Sequence, residues 1–160
     1  WQRYQLKSQS GQVLWDFSQY PTYAPTTLAF ADDGQFYHAV RDPQMGWYRV
    51  VDRTGWSIHT TFQDPILGLS MTSRNEFHLV MLDSFSGVQV LRDRSGRTLH
   101  TFDRNVQVLN LRVRAGLATY VVRDSFFGRL VVRTIPVPSA RARGQREAAR
   151  VERFDRLHGR

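Results

Sequence analysis

Two histidines that recur at a fixed spacing are the first candidates for catalysis or metal binding in this chain. His59 and His100 each precede a threonine and lie 41 residues apart. Each also follows a glycine, Gly55 or Gly96, by four residues. Because the same residue returns at the same place in a repeat, we expect both side chains to pack alike in successive repeats. We predict no catalytic residue on this basis.

A column of aspartates also recurs every 41 residues, at Asp42, Asp83 and Asp124. Each ends an apolar segment and is followed four residues later by a glycine. An aspartate at this place accepts hydrogen bonds from the amides of its own turn. A calcium loop needs several acidic oxygens at alternate positions, which the turns "DPQMG" and "DSFSG" do not supply. We therefore expect a structural role and predict no metal site.

The sequence contains no motif for other kinds of catalytic, metal or cofactor site. The chain has no cysteine, which excludes a disulfide framework, a thiolate zinc site and a cysteine nucleophile. We find no phosphate-binding glycine loop, no nucleophile elbow and no pair of metal ligands at helical spacing. The sequence therefore predicts a protein that is not an enzyme and that holds no cofactor.

The elements that carry these residues form an internal repeat. The turn triplets "DDG", "SRN" and "RAG" also follow one another at 41 residues and end at Gly34, Asn75 and Gly116. Between the turns lie short apolar segments rich in β-branched and aromatic residues, which are typical of strands. Four antiparallel strands in about 40 residues describe a blade of a β-propeller. We predict an all-β fold, a partial β-propeller of four-stranded antiparallel blades over residues 1–137.

The predicted strands divide into incomplete and complete blades. They comprise a half blade near 3–7 and 12–17, two full blades at 26–62 and 66–102, and a three-stranded blade at 107–135. A propeller usually closes with 4–8 blades, so such an arc leaves two flat faces open. We expect the rest of the ring to come from an upstream part of the same protein, another chain or a second copy. The first residue, Trp1, favours sequence upstream. A twisted open sandwich or a closed barrel is the competing fold.

Several segments resemble known propeller repeats. "TTLAFADDGQFYHAV" is similar to the first hairpin of WD repeats, and "VVDRTGWSIHTTF" and "VLRDRSGRTLHTF" resemble their closing strands. "SGQVLWDF" resembles the Gly-x-x-Leu-Trp segment of quinoprotein-like propellers. The resemblance covers about residues 3–137 and implies a degenerate WD-like or quinoprotein-like propeller.

The last segment, residues 138–160, differs in composition. It contains seven arginines and three acidic residues, and from Gln145 its apolar residues step along one face of a predicted helix. Such a helix is too short to be stable alone in water, so we expect it to dock on the propeller or on a partner. The candidate partner-binding residues are Arg146, Arg150, Val151, Arg153, Phe154 and Leu157.

The net charge of +8 leaves two readings open. Lys7 is the only lysine among 22 basic residues, a skew that compositional bias alone can produce. Arginine is also the better residue for bidentate contacts with phosphate and carboxylate. Nucleic acid is therefore a possible partner beside protein.

These observations favour a non-catalytic protein–protein interaction scaffold, the C-terminal part of a larger WD-like propeller and a subunit of a multiprotein complex. The alternative is a basic propeller subunit associated with RNA or DNA. A third reading is a propeller enzyme of hydrolase or quinoprotein type, with its site at the central channel. No apolar run approaches the roughly 20 residues of a membrane helix, and no signal-peptide pattern is present. An intracellular setting is favoured, although the compartment stays open.

Overall fold

The computed structural model describes residues 5–17, 25–124 and 127–138. Within these ranges the chain forms thirteen strands and no α-helix. The helix that the sequence predicts from Gln145 lies outside the described residues. The strands are β1 (Gln5–Lys7), β2 (Val13–Asp16), β3 (Pro25–Phe30), β4 (Phe36–Arg41), β5 (Tyr48–Asp52), β6 (Ser57–Thr61), β7 (Ile66–Ser73), β8 (Glu76–Leu82), β9 (Gln89–Asp93), β10 (Thr98–Thr101), β11 (Val106–Arg114), β12 (Leu117–Asp124) and β13 (Leu130–Pro136).

Four separate antiparallel sheets contain these strands, and each strand pairs only with its neighbours in the chain. We call them the half blade (β1–β2), the first full blade (β3–β6), the middle blade (β7–β10) and the last blade (β11–β13). The first strands of successive blades contact one another, β3 with β7 and β7 with β11. They therefore lie on the same side of the arc, as the innermost strands of propeller blades do. The partial propeller is confirmed, and no described sheet closes into a barrel.

Turns of positive φ join the strands where the sequence repeats glycine. Gly55 and Gly96 have φ of 85° and 84°, a conformation that side-chain-bearing residues rarely adopt. At Gly116, φ is 76°. The predicted turn columns are thus real turns, and their 41-residue spacing follows from the length of one blade.

Two apolar layers hold the blades together. One lies between the first full blade and the middle blade and includes Tyr37, Val50 and Leu79. The other lies between the middle and last blades and includes Val80, Leu91, Leu111 and Tyr120.

Gly68 lets the middle and last blades approach closely. A Cβ atom at this glycine would lie 3.3 Å from Cβ of Val80 and 3.8 Å from Cβ of Leu111. A Cβ atom at this position would therefore press on Val80 of the same blade and reach ordinary van der Waals contact with Leu111 of the last blade.

Candidate interaction site

The two repeated histidines pack against aromatic rings. The His59 ring lies 5.5 Å from that of Phe77 in the middle blade. The His100 ring lies 4.9 Å from Phe102 and 6.4 Å from Tyr120 in the last blade. Each histidine thus reaches from the outer strand of one blade to the next blade. Both histidines therefore pack against the following blade, as expected for residues that recur in a repeat.

Burial lowers the pKa values of two histidines, His38 and His59. His38 is 1% exposed, and its ring lies 4.9 Å from that of Phe17. Burial lowers the pKa of His38 to about 4. Burial, and next the charge of Arg94, lower the pKa of His59. Among the described residues no three His, Asp or Glu side chains form a group that could hold a metal ion.

The repeated aspartates cap their own turns. Oδ1 of Asp42 accepts hydrogen bonds from the amides of Gln44 and Met45 at 3.0 and 3.1 Å. Oδ1 of Asp83 accepts the equivalent pair at 3.0 and 2.9 Å. The amide of Met45 is the first cause that lowers the pKa of Asp42. The predicted structural role is confirmed for these two, while the side chain of Asp124 lies outside what the structure describes.

Arg92 of the middle blade forms two ion pairs. Nη1 of Arg92 lies 3.0 Å from Oδ2 of Asp64, and Nη2 lies 3.3 Å from Oδ2 of Asp83. Oδ1 of Asp64 also accepts a bond from the amide of Ser84 at 3.0 Å. This network joins the loop after the first full blade to a turn of the middle blade.

The last blade is covered on one side only. Its buried side carries Val108, Leu111, Ala118, Tyr120 and Val122, all at most 5% exposed. The opposite side, which we call the open face, follows from the strand register. It consists of Gln107, Asn110, Arg112, Arg114, Leu117, Thr119, Val121, Arg123, Leu130, Val132 and Thr134.

Aliphatic side chains extend along the open face, with Val121 and Val132 near its centre and Leu130 and Leu117 towards its two ends. Leu117 is 48% exposed, Leu130 61% and Val132 67%. Val121 pairs with Val132 across the two strands, and the hydroxyls of Thr119 and Thr134 lie 3.3 Å apart beside them. A clustered aliphatic surface on a sheet face is a mark of an interaction site.

A cavity of about 460 Å³ lies where the innermost strands meet, and we call it the axial cavity. Its walls come from β3, β7, β11 and β12, and Arg112 and Arg114 line it together with Asp32. Oγ of Ser70 in β7 accepts a hydrogen bond of 2.7 Å from the amide of Val113 in β11. This buried bond fixes β11, and so its arginines, against the middle blade.

Basic charge is concentrated towards the end of the chain. Residues 25–102 contain seven arginines and eight acidic residues, whereas residues 106–138 contain five arginines and one aspartate. The tail after Pro138 adds seven arginines against three acids. The excess of positive charge therefore belongs to the last blade and the tail, and the earlier full blades are balanced.

Sequence reasoning expected open flat faces at the ends of the arc, but it placed the interaction residues in the tail and did not name the residues of the open face. The candidates Arg146, Arg150, Val151, Arg153, Phe154 and Leu157 all lie outside the described residues. The signal for the open face was the alternation in "VQVLNLRVR" and "LATYVVR", in which exposed and buried positions take turns. The middle blade's "EFHLVML" shows no such alternation.

Among the described residues, no helix is long and apolar enough to cross a membrane. A structure search aligns the chain with Sqt1 from Saccharomyces cerevisiae, with 13% sequence identity and a TM-score of 0.40. The similarity covers 80% of this chain and 41% of Sqt1, so the chain spans less than half of that protein. No protein-family model and no curated protein sequence matches the chain. The antiparallel blades of the chain itself therefore define the fold as a partial β-propeller.

Proposed function

We propose that the chain is a non-catalytic protein–protein interaction scaffold, the C-terminal part of a larger propeller within a multiprotein complex. The observation that carries this proposal is the open face of the last blade. The partner is a further blade, supplied by the rest of the same protein or by another subunit. It packs on β12 and β13 of the open face and leaves Arg112 and Arg114 of β11 exposed to the axial cavity.

The stacking of the described blades supports this choice of partner. The first full blade and the middle blade each bury one sheet face against the next blade in the chain. The open face continues that series, with Leu117, Leu130 and Val132 exposed where the earlier blades are covered. Burying one such side chain fully is worth about 1.5–3 kcal/mol. A sheet with an aliphatic face fits this surface better than an irregular loop does, because its side chains match the pleat.

The tail is a second part of the same proposal. Its arginines and the predicted stripe of Val151, Phe154 and Leu157 suit a helix that docks beside the partner. We therefore expect that a chain truncated after Pro138 binds the partner more weakly than the full chain. If the truncated chain binds the partner as tightly as the full chain, the tail does not contact the partner and the open face alone does.

Photo-crosslinking tests the open face directly. A photoreactive phenylalanine analogue replaces Val132 on the open face, and in a matched control it replaces Phe85, an exposed residue at a turn of the middle blade. We expect cross-links to a blade from position 132 and none from position 85. The partner that the cross-link identifies is then purified without the cross-link, and the full chain is titrated into it.

In that titration, Leu130→Asp together with Val132→Asp should lower the affinity roughly a hundredfold, since two aliphatic contacts are lost. Circular dichroism checks that the variant keeps its β-sheet content. Equal cross-linking from both positions, or a titration that the double variant leaves unchanged, would refute the proposal.

A further inference from the structure

We propose that the axial cavity binds an extended acidic segment of a protein, with Arg112 and Arg114 contacting carboxylates two residues apart. This inference rests on the proposed scaffold function and names the chemistry of one partner segment. Nothing in the comparisons assigns a ligand to this cavity.

The spacing of the two arginines suits an extended peptide. Arg112 and Arg114 lie on the same side of β11, opposite Thr119 and Leu117. Alternate residues of a strand are about 6.5–7 Å apart, and alternate side chains of an extended peptide have the same spacing. Two guanidinium groups so placed can each form paired hydrogen bonds with a carboxylate.

Both guanidinium groups are available for such contacts. Within the part of the chain that the structure describes, neither Arg112 nor Arg114 forms an ion pair or a side-chain hydrogen bond. Arg92 shows the contrasting case, since two carboxylates engage it. Asp32 is the single acidic residue among those lining the cavity. The cavity therefore keeps a positive charge that an acidic segment would neutralise.

The register explains why these arginines are there. Arg112 lies opposite Thr119, and in the middle blade the matching place, opposite His78, is held by Ser70. Ser70 bonds to the next blade through the amide of Val113. A long cationic side chain at that place cannot repeat the short bond, and it presents a charged donor instead, for which a carboxylate is a strong partner.

The walls of the cavity favour a peptide over nucleic acid. Aliphatic side chains also line it, among them Leu28 of the first full blade and Val121 of the last blade. Single-stranded nucleic acid is bound on successive exposed aromatic rings. Here Phe30 is 52% exposed, whereas Tyr120 is 4% exposed, with its ring 5.0 Å from that of Phe102. Alternating acidic and aliphatic residues match this lining better than bases do.

Fluorescence anisotropy tests the proposal with the full chain and a labelled synthetic peptide in which glutamate and leucine alternate. The matched peptide has glutamine in place of glutamate. We expect the glutamate peptide to bind at least about tenfold more tightly than the glutamine peptide, because two charge-assisted contacts are made only by the former. Equal binding of the two peptides would overturn the proposal.

Variants then locate the binding. Arg112→Gln with Arg114→Gln should weaken binding of the glutamate peptide by about tenfold. Arg53→Gln with Arg97→Gln removes the same charge from exposed positions outside the residues that line the cavity, and it should leave the affinity within about twofold. If both double variants weaken binding equally, the attraction is general and the proposed site is wrong.

Two further arms separate the alternatives. Labelled single-stranded polyuridine replaces the peptide in one arm, and tighter binding of this RNA that depends on Arg112 and Arg114 would overturn the peptide assignment. Leu130→Asp with Val132→Asp is used in the other, and we expect it to keep peptide binding. Failure of the scaffold proposal would thus appear in the partner titration, and failure of this one in the peptide titration.

Discussion

The middle blade and the last blade have the same strand plan but different surroundings. In β8 of the middle blade, five consecutive residues from Phe77 to Met81 are buried, because a blade packs on each side. In β12 of the last blade, Ala118, Tyr120 and Val122 are buried, and the residues between them face the open side. A strand that is covered on both faces has a continuous run of apolar residues, whereas in a strand covered on one face apolar and polar residues alternate.

The difference extends to single positions. Val80 and Val121 lie 41 residues apart in equivalent strands, and Val80 is fully buried because the last blade covers it. Opposite Val80 lies Gly68, whereas opposite Val121 lies Asn110. Asn110 thus adds a polar side chain to the open face at a place where the middle blade has none. A further blade that packs there must leave room for this side chain.

The largest expected effect contrasts two leucines. Leu91 in the middle blade is 0% exposed, and Leu130 on the open face is 61% exposed. Leu91→Ala removes buried contacts with the last blade and leaves a cavity, so we expect the free energy of unfolding of the full chain to fall by about 3–4 kcal/mol. Leu130→Ala should change it by less than about 0.5 kcal/mol. Urea denaturation followed by circular dichroism measures both.

A large loss for Leu130→Ala would mean that the open face is already covered within the chain, and the comparison of the two blades would fail. Equal and small effects of both variants would mean that the middle and last blades do not pack as a unit.

The sequence predicted most of the fold. The turn residues that recur every 41 residues predicted where the blades begin and end. Glycines at these turns, such as Gly55 and Gly96, adopt positive φ, and glycine is the residue type that does so most readily. The capping role of Asp42 and Asp83 followed from their place before the turn.

The candidate site was harder to predict, since it depends on register. The inner strands of the middle and last blades share a bulge, between Ile66 and Gly68 and between Val108 and Asn110. The middle blade has a second bulge, between Met71 and Ser73, that β11 lacks. Arg112 opposite Thr119 therefore matches Ser70 opposite His78, 42 residues earlier, and counting 41 residues gives the wrong equivalence along β11. Which blade face stays uncovered is a property of the assembled arc and is not written in any one strand.

A buried histidine distinguishes the beginning of the arc from the last blade. The pKa of His38 is lowered to about 4 by burial, and its Nδ1 has no hydrogen-bond partner among the described residues. The unfolded chain takes up a proton near pH 6.5, and the folded chain does so only near pH 4. Stability should therefore fall as the pH drops from about 6.5 towards 4, by roughly 2–3 kcal/mol at pH 4.5.

His38→Phe keeps a ring of similar size beside Phe17 and removes the titrating group. We expect the variant to lose most of the pH dependence of unfolding between pH 7.5 and 4.5, measured by urea denaturation at each pH. The capping aspartates, whose pKa values are lowered, should contribute mainly at lower pH. A variant that keeps the full slope of the parent chain would show that His38 is not held neutral by burial.

The smallest expected effect concerns two hydroxyls, that of Ser70 where the last blade covers the middle blade and that of Thr119 on the open face. Ser70→Ala leaves the buried amide of Val113 without its 2.7 Å partner, and we expect a loss of about 1–2 kcal/mol. Thr119→Ala removes a hydroxyl contact of 3.3 Å on the open face, where water can replace the lost partner, so the change should stay below about 0.5 kcal/mol. Hydrogen exchange of the Val113 amide gives a local measurement beside urea denaturation. Faster exchange in Ser70→Ala alone would show that a single hydroxyl joins the last blade to the middle one, whereas similar rates in both variants would show that apolar packing alone holds β11 in place.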